Sequence, residues 1–244
     1  MNAQRHVVQF YAGHEQALAG NVAAFLADGL ARGEGALVIA GSANRAAIRA
    51  AVAVRSGDVD AGSLVLLDAD EALAAFLIDG RPDRHRFRQT VDVQLRAFEG
   101  ASVRAYGEMV GILWQRGERV AAAELEELWN ELLARETFRL FCGYPVDVFG
   151  DGFQPTELDD VLCAHTHLVP ALDDDVLGSA IERAMDEILA GSSAEMRRLM
   201  KLNHRPAWAA IPRGEGLALW LRNNLPDSAG EILARAKTYY STCA

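Results

Sequence analysis

The sequence predicts an α/β protein: a mainly parallel sheet flanked by helices, followed by a small all-helical C-terminal region. Three observations predict it. Short apolar runs without polar alternation recur between helix-patterned segments, as expected of strands buried on both faces. The runs stop after Gly150, where helical patterning takes over. At 244 residues, half of them apolar, the chain is long enough for one full α/β core plus a smaller appendage.

HVVQFY, from His6 to Tyr11, is the first β-prone run, and Glu15 to Arg32 follows with Leu18, Val22, Phe25, Leu26 and Leu30 on one helical face. Gly33 and Gly35 close that helix. GALVIAG (35–41) reads as a buried strand, with Ser42 and Asn44 as capping candidates for a helix over 43–54. SLVLLDA (63–69) is a third strand. Helices are expected over 71–78 and 84–98, separated by the loop Asp79-Gly80-Arg81-Pro82-Asp83. SVRAYGEMV (102–110) is a fourth strand running into a loop or helix start. Residues 118–134 are rich in Ala, Glu and Leu and predict a helix, and TFRLFCGYP (137–145) is a fifth strand ended by Pro145. Beyond it, helices are expected over 155–166, 175–189, 193–202, 214–223 and 226–240, with Gly191-Ser192-Ser193 as a hinge.

Repeated βα units of this kind give a layout like a P-loop ATPase domain of the RecA or KaiC type. Such sheets bind ligands beyond the carboxyl ends of their strands. The segments to watch are therefore 11–15, 41–44, 68–71, 106–108 and 143–147. A P-loop carries GxxxxGK[ST] in the first βα turn, its amides and lysine cradling phosphate. Here the turn holds Tyr11, Gly13, His14 and Glu15, and lysine occurs only at 201 and 237, in the helical tail. No Walker A sequence is possible in the sheet domain. GxGxxG in that turn, GxSxG and HExxH are also absent, so no catalytic constellation is recognisable and no enzyme is expected.

Composition narrows the partners. The net charge of −10 disfavours wholesale binding to a phosphate backbone. It is uneven: residues 1–150 carry −5, 151–190 carry −9 and 191–244 carry +4. A basic helical tail after an acidic connector suits packing onto that connector or onto a partner, beside the plainer reading of a solvated helical surface. No membrane span or signal peptide is evident, which places the chain in the cytoplasm.

Three cysteines, Cys142, Cys163 and Cys243, lack CxxC spacing and predict reduced thiols. Cys163 and His167 would share a face of a continuous helix, with His165 pointing away. They are the candidate zinc donors, but need two further ligands, so a packed helix end and no metal is the expectation. Glu108, after a strand in Tyr106-Gly107-Glu108, reads either as a buried acid at the ligand edge or as a helix N-terminal carboxylate. On 118–134, Glu127 shares a face with Glu131 and Glu126 shares one with Asn130, while Trp129 with Leu125, Leu128 and Leu132 suits a core.

Taken together, HVVQFY (6–11), Gly29 and Gly33 before LVIA, LDADEAL with FLIDGRPD (67–83), VRAYGEMVGILW (103–114), LEELWNEL (125–132), FRLFCGYP (138–145) and LCAHTH (162–167) resemble the MEDS family. These are sensory domains named after methanogens, methylotrophs and the dichloromethane-responsive regulator DcmR. The resemblance covers about residues 6–170, leaving 171–244 as a helical tail that relays, dimerises or binds a partner. It implies a degenerate KaiC-like fold that senses a small organic molecule, hydrocarbon derivatives being proposed for the family. It also implies a signalling partner of kinase or anti-sigma type. An N-terminal helix-turn-helix is missing, which speaks against direct nucleic-acid binding.

The matching motif positions are His6, Tyr11, Glu108, Trp114, Glu126, Trp129, Asn130, Tyr144 and His167. For ligand binding the candidates are Tyr11, His14, Glu108, Trp114, Trp129, Asn130 and Tyr144, with no cofactor. Two rivals stand beside this reading. A KaiC-like protein could hold a nucleotide, with arginines such as Arg45 or Arg104 replacing the lysine. A ligand-free scaffold could recruit its partner through the charged tail.

Overall fold

The computed structural model describes residues 5–57, 59–60, 62–98, 100–189 and 210–243. The chain forms two compact units, Met1–Pro145 and Val146–Ala244. This division reflects backbone contacts, whereas the boundary near residue 170 marks the end of the family motifs. The hinge at 191–193 and the helix expected over 193–202 lie outside the described residues.

In the first unit the elements run β1 (His6–Phe10), α1 (Glu15–Leu30), β2 (Gly35–Ala40), α2 (Ser42–Ser56), β3 (Leu64–Asp68), α3 (Ala69–Phe76), β4 (Leu77–Ile78), β5 (Arg81–Pro82), α4 (Arg84–Arg96), β6 (Val103–Gly107), α5 (Met109–Gln115), α6 (Arg119–Arg135) and β7 (Phe138–Tyr144). Five strands are parallel in the order β3-β2-β6-β7-β1. The interior strands β2 and β6 are buried at every residue, which is why their apolar runs do not alternate. β3, at one edge, is half-buried throughout.

Right-handed crossovers fix the layers. Moving from β1 to β2 and from β2 to β3 the chain runs one way along the sheet, so α1 and α2 share a face and pack on each other. From β3 to β6 and from β6 to β7 it runs the other way, which puts α3, α4, α5 and α6 on the opposite face. There Phe76, Phe87, Trp129 and Phe138 form a chain of ring contacts, with centroids 5.4, 5.1 and 6.2 Å apart. Trp129 is 1 % exposed and belongs to this core. α5 lies hard against β7: a Cβ on Gly111 would stand 2.2 Å from the Gly143 carbonyl oxygen.

Several local expectations are corrected. The predicted helix over 71–78 starts at Ala69, where the Asp68 side chain accepts from the Asp70 and Glu71 amides, and it ends at Phe76. Leu77–Ile78 and Arg81–Pro82 instead form a small antiparallel hairpin. Its two-residue turn, Asp79-Gly80, has positive φ at both positions (49° and 75°), the geometry that Asp-Gly accepts at little cost. Neither Ser42 nor Asn44 caps α2, whose N-cap is Gly41.

The second unit contains α7 (Pro155–Ala164), a short strand β8 (His167–Leu168), α8 (Asp174–Ile188) and helices over Arg213–Asn224 and Pro226–Cys243. Strands therefore do not stop at Gly150, because His167 bridges Ala210 in parallel. The charge asymmetry has a structural use. Arg213 pairs with Glu182 at 2.6 Å, Arg222 with Asp151 at 3.0 Å and Arg235 with Glu187 at 2.9 Å, so the basic tail packs on the acidic segment. Among the described residues, no helix is long and apolar enough to cross a membrane.

Candidate functional site

The sheet reverses its winding between β2 and β6: the connection leaving β2 runs to β3 on one side, and the connection leaving β6 runs to β7 on the other. Crevices of this kind, outside the carboxyl ends of the strands, are where open α/β sheets bind ligands. Glu108 stands in it. Its amide donates to the Ile39 carbonyl at 3.0 Å, extending the β2–β6 ladder by one rung, and its residue is the N-cap of α5.

The carboxylate is only 3 % exposed and faces three donors. Oε2 accepts from the Gly41 amide at 2.9 Å, and Oε1 accepts from the Tyr106 hydroxyl at 2.7 Å and from the Asn44 side-chain amide. Burial pushes the acid above its ordinary range, and the bonds from Gly41, Tyr106 and Asn44 pull the other way. Gly143 makes room for this arrangement, since a Cβ there would lie 2.5 Å from the Tyr106 hydroxyl.

Tyr11 reaches the same group. It is half-buried, its amide donates to the Tyr144 carbonyl at 3.0 Å, and its hydroxyl interacts with Asn44. Burial first, then the charges of Glu108 and Glu15, holds its phenol well above the ordinary value. Tyr11 and Asn44 are the half-exposed side chains of the set, so with the Gly41 backbone they form its solvent side. His14 is the N-cap of α1 without a side-chain capping bond, and its amide donates to the Tyr11 carbonyl at 2.7 Å.

The remaining candidates gather elsewhere. Paired residues of parallel neighbours face the same side, so His6, Val8 and Phe10 of β1 share the α6 face with Leu140, Cys142 and Tyr144 of β7. On that face the Tyr144 hydroxyl donates to Glu126 Oε1 at 2.6 Å. His6 Nε2 lies 3.4 Å from Glu126 Oε2 and 3.4 Å from Cys142 Sγ, while His6 Nδ1 lies 3.0 Å from Asn130 Oδ1. Burial raises both Glu126 and Cys142, and His6 and Tyr144 lower Glu126 in return. Trp114, half-exposed on α5, stands edge-on to Tyr144 at 5.6 Å and carries the Arg119 guanidinium 3.4 Å above its ring.

Sequence reasoning therefore named members of two clusters as though they were one. It passed over Tyr106 and gave Asn44 a capping role. Both were findable, because they end or follow strands at the segments marked by the carboxyl-edge rule. Cys142 needed the β1–β7 register. The helical premise for Cys163 and His167 fails: α7 ends at Ala164 and His167 is in β8. Cys163 is exposed, whereas His165 is buried with its ring bonded to the Val161 carbonyl at 2.6 Å. Burial lowers that imidazole to about 4.

Fold and site together define an α/β domain with a group of polar side chains at the switch point of a parallel sheet and no lysine to hold phosphate there. Residues 5–166 match the family model described as the methanogen/methylotroph, DcmR sensory domain, and the chain belongs to this MEDS family. No curated protein and no solved structure matches it. Membership of a sensory rather than a catalytic family gives the chain a role in sensing and signalling.

Proposed function

We propose that the first unit senses a small organic compound, a hydrocarbon derivative bearing a hydroxyl or halogen, at the carboxyl edge around Glu108, and that the C-terminal helices pass the signal to a protein partner of kinase or anti-sigma type. The observation that carries the reading is a buried acid at the sheet's switch point whose solvent side includes two movable side chains, Tyr11 and Asn44. Glu108 holds three donors, and an incoming ligand that donates to it can exchange for one of them. Asn44 is the natural one to leave, because Gly41 is backbone and Tyr106 is buried. Asn44 belongs to the first turn of α2, so its release removes one of the two ties between the helix start and Glu108, the Gly41 amide keeping the other.

The nucleotide alternative finds little to use. Arg45 is paired with Asp68 at 2.9 Å. Arg104, second residue of β6, is near the opposite end of the strand and pairs with Asp28 at 2.7 Å and Glu34 at 2.8 Å.

Thermal unfolding of the whole chain in sealed cells, titrated with methanol, dichloromethane and ATP, tests the reading. A saturable rise in Tm with an organic probe that is lost in Glu108→Gln supports it. Saturable ATP binding with turnover that Glu108→Gln abolishes would replace it with the nucleotide reading.

A further inference from the structure

We propose that His6, Glu126 and Cys142 form a binding site for a divalent transition metal of the zinc class, inside the first unit and separate from the Glu108 edge. Three secondary-structure elements supply one donor each: β1 the imidazole, α6 the carboxylate and β7 the thiol. The donor atoms lie within 4.8 Å of one another. Zinc bonds of about 2.0–2.3 Å at tetrahedral angles place neighbouring donors roughly 3.3–3.6 Å apart. The distances from His6 Nε2 to Glu126 Oε2 and to Cys142 Sγ, both 3.4 Å, are two such edges.

The surroundings favour a cation over an ordinary hydrogen-bonded cluster. Asn130 Oδ1 is an acceptor, so it fixes the proton on His6 Nδ1 and turns the Nε2 lone pair of the neutral ring toward the carboxylate and the sulfur. Glu126 is fixed in the same way, its Oε1 accepting from the Tyr144 hydroxyl and its Oε2 facing His6. These are the outer contacts by which metal ligands are oriented: the second ring N–H donated to a carbonyl, and the carboxylate itself hydrogen-bonded. Charge closes as well. One dication, one carboxylate and one thiolate sum to zero, which suits a pocket where all three residues are at most 4 % exposed.

Binding replaces the Cys142 S–H bond with a metal–sulfur bond. The thiol proton leaves to solvent, no electrons change hands, and affinity rises with pH. Three protein donors leave the fourth tetrahedral position for a further donor.

The test is a Co(II) titration of the whole chain after chelator treatment, followed by absorbance, with Zn(II) competition. The expected result is saturation near one equivalent, a near-ultraviolet thiolate-to-cobalt band, tetrahedral visible bands, and displacement of both by zinc. Cys142→Ser should remove the thiolate band. Asn130→Ala, which touches no metal, should weaken binding roughly 10–100-fold while leaving the band's position unchanged. Because the wild-type titration needs no variant, misfolding of Cys142→Ser leaves the proposal testable. A featureless titration, or a band that persists in a folded Cys142→Ser, would overturn it and leave His6 and Glu126 as a buried ion pair.

Discussion

Glu108 and Glu126 are both buried acids of the first unit, both raised by desolvation and both bonded to a tyrosine hydroxyl, at 2.7 and 2.6 Å. Their other neighbours differ. Glu108 meets a backbone N–H and the NH2 of a carboxamide, donors that stabilise an anion directly. Glu126 meets an imidazole nitrogen and has a sulfur within 4.8 Å, atoms that present lone pairs when a cation is near. Similar burial underlies both proposals: an acid that exchanges one donor for a ligand, and a donor set that takes a metal. Desolvation says that an ionisable group is unusual; its partners say what it is for.

The two clusters share a scaffold, and the largest effect should come from breaking it. Trp129→Ala removes the ring linking α4 and α6 to β7 and should cost about 3–5 kcal/mol in denaturant unfolding, disturbing both clusters together. Smaller and confined to one side, Glu108→Ala strands the donors of Gly41, Asn44 and Tyr106. A loss of about 2–3 kcal/mol is expected, with the cobalt spectrum unchanged. Gly111→Ala probes the helix that joins them, since α5 has Glu108 as its N-cap and carries Trp114 against Tyr144. Its Cβ meets backbone that cannot swing away, so about 1–3 kcal/mol should be lost.

The smallest difference concerns pH. An acid raised on folding favours the folded state below its unfolded value, near 4.5, and loses that contribution as pH rises through the folded value. Chelator-treated protein should therefore lose stability as pH climbs above about 4.5. Glu126→Gln should flatten that slope, and Glu108→Gln should do so less, because three donors offset its desolvation. Equal flattening would mean that the two environments are energetically alike.

Much of the fold could be read from residue order alone. Runs such as LVIA and the amphipathic stretch from Glu15 encode burial on two faces and on one, and these are properties of a segment by itself. Pairing is not such a property. The Leu77–Ile78 hairpin and the His167–Leu168 strand are two-residue pieces whose identity depends on Arg81–Pro82 and on Ala210; Asp79-Gly80 marks the turn of the first, but its flanks are too short to read as strands. The sites divide in the same way. Glu108 and Tyr11 follow strands and could be placed at the carboxyl edge by rule. Asn130 and Tyr144 could not be sorted from them, because their side of the sheet depends on the His6–Leu140 register. Trp129 looked like a ligand contact for the same reason that it serves the core: a large ring is useful in either place.

The most direct test of the sensory reading is amide chemical-shift mapping of the whole, zinc-saturated chain during titration with methanol or dichloromethane. The account predicts saturable shifts concentrated at Tyr11, Gly41, Asn44 and Glu108, fading in Glu108→Gln, with His6 and Cys142 little moved. Shifts centred on His6, Asn130 and Cys142, with the Glu108 edge silent, would contradict it.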